Sequence, residues 1–178
     1  MGVLDADNLD IDPYQLFDSW FAEAKKSEIN DADAMAIASV DSDGMPSVRM
    51  VLLKEVTSEG FVFYTNYTSR KASELLATGK AAFVMHWKSL RRQVRVSGKV
   101  EQVPAAQSDA YFASRPRGSQ IGAWASAQSS PLDSRKTLQE AVAAAETRYS
   151  EDIPRPPHWG GFLIRPDEIE FWADGEYR

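Results

Sequence analysis

Met35-Ala36-Ile37-Ala38-Ser39-Val40, Asp41-Ser42-Asp43-Gly44, the run from Ser47 to Val56, Ser58-Glu59-Gly60 and Phe61-Val62-Phe63-Tyr64-Thr65 succeed one another in the first half of the chain. Each apolar run is of strand length and is closed by residues that favour turns, the pattern of an antiparallel meander. The pattern extends outward from this stretch. Toward the N-terminus, Asp12-Pro13-Tyr14-Gln15 offers an N-cap, a proline at the first helical position and a capping-box partner. Leu16, Phe17, Trp20, Phe21 and Ala24 then recur at helical spacing, which predicts an amphipathic helix over residues 13–26. On the other side, Ser69 is placed to cap a short helix through Leu76, with Gly79 ending it, before strands from Ala81 to Trp87 and from Gln93 to Val103. Pro104 opens a helix to about Ser114, Arg115-Pro116-Arg117-Gly118 interrupts it, and Pro131 to Tyr149 reads as a long Ala-rich helix. After a rigid connector at Pro154, Pro156 and Pro157, strands from Gly161 to Ile164 and from Glu168 to Trp172 bring the count to about seven, enough to close a small barrel. The expected class is mainly β with peripheral helices (α+β), in one domain spanning 1–178.

The composition narrows the function. With 20 Lys and Arg against 26 Asp and Glu, the net charge is -6, and the long-range field repels nucleic acid and anionic membranes. An anionic ligand must therefore be gathered by a local cluster of cations. The chain has no Cys, hence no disulfide and no thiolate metal ligand, and its two histidines, His86 and His158, stand in no ligand-spaced motif, so no metal is expected. His86, in an apolar run, is read as structural. Met1 to Asp12 is acidic and has no apolar run like a signal peptide, and no stretch is long enough to span a bilayer. The expectation is a cytoplasmic protein.

Three clusters carry candidate chemistry. Arg49-Met50-Val51-Leu52-Leu53-Lys54 sets a cation at each end of an apolar strand, and side-chain alternation sends Arg49 and Lys54 to opposite faces; the bland reading is a pair of charges at the sheet rim. Tyr64-Thr65-Asn66 leads into Ser69-Arg70-Lys71, where cations occupy the first turn of a helix. Free amides and the helix dipole favour an anion there, while the cations oppose the dipole, a conflict that a bound phosphate removes. Tyr111, Arg115 and Ser119 repeat at a four-residue spacing that aligns them on one helix face, with Pro116 and Gly118 distorting the later part; the common alternative is a helix end with a salt-bridging Arg. Gln93, Gln128 and Ser129 add neutral hydrogen-bonding groups, and Trp124, Trp159 and Trp172 add flat apolar surfaces. Together these suit one phosphorylated cofactor and one phosphorylated substrate, held ring against ring.

These runs, with Arg92-Gln93-Val94, Ser114-Arg115-Pro116-Arg117, Ser119-Gln120-Ile121-Gly122-Ala123-Trp124, Gln128-Ser129-Ser130 and Glu170-Phe171-Trp172, occur in an order that resembles the pyridoxine/pyridoxamine 5'-phosphate oxidase family over nearly the whole chain. The resemblance implies a split β-barrel that binds flavin mononucleotide (FMN), and a homodimer with two flavin sites at the subunit interface. It assigns Arg49, Met50, Val51, Leu52, Leu53, Lys54, Tyr64, Thr65, Arg70, Lys71, Gln93, Gln128, Ser129 and Trp172 to the flavin. It assigns Lys54, Tyr111, Arg115 and Ser119 to the substrate phosphate, and Arg178 to the substrate's pyridine ring as the catalytic arginine. The implied reaction moves a hydride from the substrate's C4' carbon to flavin N5, after which molecular oxygen reoxidises the flavin and hydrogen peroxide forms; with the amine substrate, water completes the conversion to the aldehyde.

The resembling family continues past the position of Arg178 with Leu-His-Asp-Arg and a last strand that supplies a substrate-facing histidine and a flavin-contacting arginine. This sequence stops at Arg178, and the expectation is that it is a shortened form of a longer chain. Two other readings share the pattern: a flavin oxidase of the same barrel acting on a phenazine precursor, and a protein that binds flavin or pyridoxal phosphate without turnover.

Overall fold

The structure is a computed structural model that describes residues 11–176. Helix α1 (Pro13–Ser27) begins at Asp12, whose carboxylate accepts a hydrogen bond from the Tyr14 amide. Strands β1 (Ala34–Val40), β2 (Pro46–Thr57) and β3 (Gly60–Asn66) form the predicted meander. They are followed by α2 (Arg70–Thr78), β4 (Lys80–Trp87), β5 (Arg92–Gln102), α3 (Ala105–Ser114), α4 (Arg117–Ala125), α5 (Arg135–Arg148) and β6 (Trp159–Ala173). All neighbouring strands are antiparallel, and the sheet closes in the order β1-β2-β3-β6-β5-β4.

The barrel has six strands where the sequence pattern suggested about seven, because the two expected C-terminal strands are one. The gap expected between Ile164 and Glu168 contains Pro166, yet β6 runs through it. Beyond Ile164 the strand has left β3 and pairs with β5 alone, so a residue without an amide forfeits no bond on its free edge. A register shift at Ser97/Gly98 absorbs the local bend. Gly98 is needed there, since a Cβ would stand 2.0 Å from the Arg165 carbonyl oxygen.

Two helical expectations also change. The long helix starts at Arg135, not Pro131, because Ser134 supplies the cap by accepting from the Thr137 amide. The stretch read as an interruption holds only a two-residue break, Arg115 and Pro116: the proline disfavours helical geometry at Arg115, which is extended (φ -74°, ψ 148°), and α4 starts at Arg117. By contrast, α2 behaves as predicted at both ends, with Ser69 as N-cap and Gly79 in the left-handed conformation as C-cap, although it runs two residues past Leu76.

Inside, α1 seals one end of the barrel. Its Phe17 meets Phe61 edge-on at 5.0 Å between ring centroids, and Phe61 meets Phe83 at 5.2 Å, in a core that also holds Trp20, Phe21, Trp87 and Phe162. A second core of Phe112, Ile121, Ala145, Ile153 and Trp159 fastens α3, α4 and α5 to the start of β6.

The feature that creates a site is a split in the wall. β2 pairs with β1 along Pro46–Leu52, but with β3 only from Leu53 to Thr57, while Tyr64–Asn66 of β3 pairs with β6. Residues 46–52 and 64–66 thus diverge on either side of an open seam. Among the described residues, no helix is long and apolar enough to cross a membrane.

Candidate functional site

A cavity of about 880 Å³ occupies this seam, a volume suited to a nucleotide-sized ligand with a second small molecule. Because β2 lacks a neighbour on that edge, the cavity reaches residues of both its faces. Arg49 and Lys54 therefore both line it despite their opposite orientations. The floor is Tyr64, Thr65 and Asn66, the start of α2 contributes Arg70 and Lys71, and the α3–α4 junction contributes Tyr111, Arg115 and Ser119.

Lys71 is the deepest cation. Only 7 % exposed, its ammonium donates to Thr65 Oγ1 (2.9 Å), Gln128 Oε1 (2.9 Å) and Ser69 Oγ (3.3 Å), all neutral oxygens. Burial, with a smaller push from the Arg49 charge, brings its pKa down to about 8. A buried ammonium with neutral acceptors is a poor arrangement until an anion arrives. Gln128 reaches it from a loop in which Ser129 holds a left-handed backbone (φ 68°), and both residues line the cavity.

Around Lys71, the other two cations are set by one acid. Arg49 Nη2 lies 3.1 Å and Arg70 Nε 2.8 Å from the two carboxylate oxygens of buried Glu74. Burial pushes the Glu74 carboxyl up, but hydrogen bonds from Ser39, Ser47 and Arg70 and the charge of Arg49 outweigh it and hold it at about 2. Lys54 is paired at 2.7 Å with Asp33.

The second cationic group is assembled by a different route from the one the spacing suggested. Tyr111, Arg115 and Ser119 do not share one helix; the Pro116 break turns the chain so that α3, its cap and the first turn of α4 converge on the cavity. The Arg115 guanidinium lies 4.6 Å above the Trp159 ring, and its Nη1 is buried without a hydrogen-bond partner. An arginine of the cavity lining that keeps a buried, unpartnered donor is a candidate ligand for an anion. Beside it, Tyr111 stacks on Tyr64 at 3.9 Å and Tyr64 on Trp159 at 5.4 Å. Gly161 permits that stack, as a Cβ there would approach the Tyr64 ring to 2.8 Å. The Tyr64 hydroxyl donates to Glu55, which also accepts from Gln107. Burial first, then the Glu55 hydrogen bond, raises the Tyr64 pKa, so the phenol keeps its proton.

Not every expected residue joins this cavity. Leu53 turns into the barrel core. Gln93 and Trp172 face each other across the β5–β6 ladder and do not line the seam. Arg178 lies outside the described residues. Conversely, sequence reasoning passed over Glu74, Glu55, Ser39 and Ser47. The Arg70–Glu74 spacing of four was the available signal for Glu74; nothing local marks the serines, which matter because β1, β2 and α2 meet there. No cluster of three or more His, Asp or Glu suited to a metal occurs among the described residues.

The structure is thus a split antiparallel barrel whose open seam is lined by two groups of cationic side chains. The chain belongs to the pyridoxamine 5'-phosphate oxidase family, an oxidoreductase family whose sequence model matches residues 21–172. The pyridoxine/pyridoxamine 5'-phosphate oxidase of Brucella canis is 61 % identical over 168 residues, covering 94 % of this chain and 83 % of its own. Among solved structures, PhzG from Burkholderia lata 383, in complex with tetrahydrophenazine-1-carboxylic acid, superposes with a TM-score of 0.93 at 29 % identity, covering 100 % of this chain and 88 % of its own. A pyridoxamine 5'-phosphate oxidase-related, FMN-binding protein from Nostoc punctiforme shares the fold, with a TM-score of 0.71 at 13 % identity over 92 % of this chain and 86 % of its own.

Proposed function

We propose that this protein oxidises pyridoxine or pyridoxamine 5'-phosphate to pyridoxal 5'-phosphate, using FMN, with oxygen as acceptor and hydrogen peroxide as product. The observation that carries the reading is the presence of two separate anion-seeking groups in one cavity, Lys71 with Arg49 and Arg70, and Arg115 with its orphaned Nη1. Two phosphorylated rings meeting in one cleft satisfy both. The FMN phosphate suits Arg49, Arg70 and Lys71, with Thr65, Gln128 and Ser129 beside it, and the exposed edge of β2 from Met50 to Leu52, together with Lys54, offers the flank for the rest of the cofactor. Tyr111, Arg115 and Ser119, with Lys54, suit the substrate phosphate. When bound, the flavin supplies the two-electron redox chemistry. The protein's part is to align the two rings, to keep the Tyr64 phenol protonated beside them, and to balance phosphate charge with buried cations.

The same reading explains why Gln93 and Trp172 stand apart. Val48, Met50 and Leu52 project from the outer face of β2 at 68 %, 61 % and 41 % exposure, next to an apolar hollow bounded by Ala36, Ala38 and Val84. An exposed apolar band on a barrel wall suits a second copy of the chain. In a homodimer, Gln93 and Trp172 of the second copy would complete the flavin site of the first.

The likeness to PhzG favours a second reading, oxidation of a phenazine precursor, whose carboxylate could also meet Arg115. Identity of 61 % against 29 % weighs for the phosphorylated pyridine. The deciding experiment is aerobic turnover after reconstitution with FMN, following aldehyde and peroxide together. Equal formation of both from pyridoxine 5'-phosphate is the expected result; bound flavin without product from it sinks the oxidase reading and leaves a phenazine oxidase or a binding protein.

A pH dependence follows from Lys71. Its folded pKa of about 8 lies below the ordinary 10.5, so between those values the unfolded chain holds more protons than the folded one. Stability of the ligand-free protein therefore rises across that window, and the full burial penalty is present below pH 8. A bound phosphate restores the proton, so FMN affinity should fall by up to about tenfold per pH unit above 8. Titration by flavin fluorescence from pH 7 to 10 checks this; a flat profile excludes Lys71 as a phosphate ligand.

A further inference from the structure

Glu74 is a buried carboxylate that the assignments above do not use, and its surroundings are unusual for a helix surface acid. It sits on α2 with its side chain 4 % exposed. Oε2 accepts from Ser39 Oγ (2.5 Å) on β1, from Ser47 Oγ (2.6 Å) on β2 and from Arg49 Nη2 (3.1 Å), while Oε1 accepts from Arg70 Nε (2.8 Å). The serines do not serve the carboxylate alone. Arg49 also donates to Ser39 Oγ (2.6 Å), to Ser47 Oγ and to the Ile37 carbonyl (3.2 Å), so its guanidinium is gripped from two strands. Removing a carboxylate from water is costly unless its lone pairs are filled, and here three elements converge to fill them.

We infer that Glu74 is the positioning residue of the phosphate cup, fixing the Arg49 and Arg70 guanidiniums in one orientation and trimming the charge of the cup to match a phosphate monoester. The inference rests on the proposed reading that this cup takes the FMN phosphate. Arg49, Arg70 and Lys71 with Glu74 leave two net positive charges, and a phosphomonoester above its second pKa of about 6 carries about two negative ones. The acid could act in either of two directions. It lowers the attraction of the cup for any anion, and it supplies the geometry on which directional, charge-assisted bonds depend. Geometry dominates, because Arg70 is 63 % exposed and water screens whatever attraction is gained by freeing it, whereas a guanidinium out of place loses its hydrogen bonds outright.

The test compares FMN with riboflavin, which differs only by the phosphate, through flavin fluorescence quenching by the full chain. Wild type should prefer FMN. Glu74→Gln should weaken FMN by about tenfold or more and leave riboflavin within about twofold. Glu74→Asp, which keeps the charge but shortens the reach, should show the same selective loss. Ser47→Ala provides a milder version, with a loss of about threefold, should the Glu74 variants fail to fold. Equal losses for FMN and riboflavin would overturn the inference by showing a role in folding alone. Unchanged or tighter FMN binding would overturn it by showing that the acid only subtracts charge. If wild type itself shows no preference for FMN, the phosphate reading of the cup fails and the positioning role with it; a wild-type preference retained in Glu74→Gln removes the positioning role alone.

Discussion

Lys71→Met is expected to weaken FMN binding by about 10- to 150-fold, the loss of a charge-assisted hydrogen bond of about 1.5–3 kcal/mol, without destabilising the ligand-free protein. The two halves of this expectation have different origins. In the complex, the ammonium is the buried partner of a phosphate oxygen, and a thioether cannot replace it. In the free protein, the same ammonium is held against its preference, with a pKa lowered to about 8 by burial. Methionine has similar length and no charge to desolvate. Its removal of the donor strands nothing, because Thr65 Oγ1 still donates to Gln128 Oε1 at 3.1 Å. Equilibrium titration with FMN and a thermal melt of the flavin-free protein read the two effects separately. A melt lowered by several degrees together with weak binding would show that Lys71 is a structural residue, and the phosphate assignment would lose its main support.

Arg115→Ala is expected to raise KM for pyridoxine 5'-phosphate by about 10- to 100-fold with kcat little changed and FMN still bound, since a distal phosphate contact contributes to binding in the ground and transition states alike. The basis is the place of Arg115 in the cavity lining, the fixing of its guanidinium over Trp159 at 4.6 Å, and a buried Nη1 that has no hydrogen-bond partner. Burial lowers its pKa, though an arginine stays charged across the working range. Steady-state kinetics with the phosphorylated substrate, paired with a flavin titration, distinguishes the outcomes. If FMN affinity falls as far as substrate affinity, the two anion groups belong to one ligand, and the division of the cavity proposed here is wrong.

Much of this protein was legible because local signals and tertiary structure agree. Asp12-Pro13 and Ser69 with Gly79 mark helix ends by their own hydrogen bonds and backbone preferences, so they need no neighbours to be read. The meander around Asp41–Gly44 and Ser58–Gly60 is similarly local. The division of β6 into two strands around Pro166 failed for the converse reason. Whether a proline ends a strand depends on whether its missing amide faces a partner, and that is decided by where β3 begins, a fact about another part of the chain.

The site divides along the same line. Its chemistry was in the residues: cations at a helix start, at the ends of a strand and beside a proline, in an acidic chain whose overall charge gives them no general use. Their assembly was not. The spacing of Tyr111, Arg115 and Ser119 suggested one helix face, while the structure uses a broken helix to aim them at a seam. Glu74 was passed over because an acid four residues from an arginine is ordinary on a helix surface, and only the approach of β1 and β2 buries it. Sequence by itself determined which groups can carry charge and where the backbone must start, stop or turn, since those depend on covalent chemistry and near neighbours. The tertiary structure decided where the barrel wall parts and which charges lose water, because pairing and desolvation are set by residues distant in the chain.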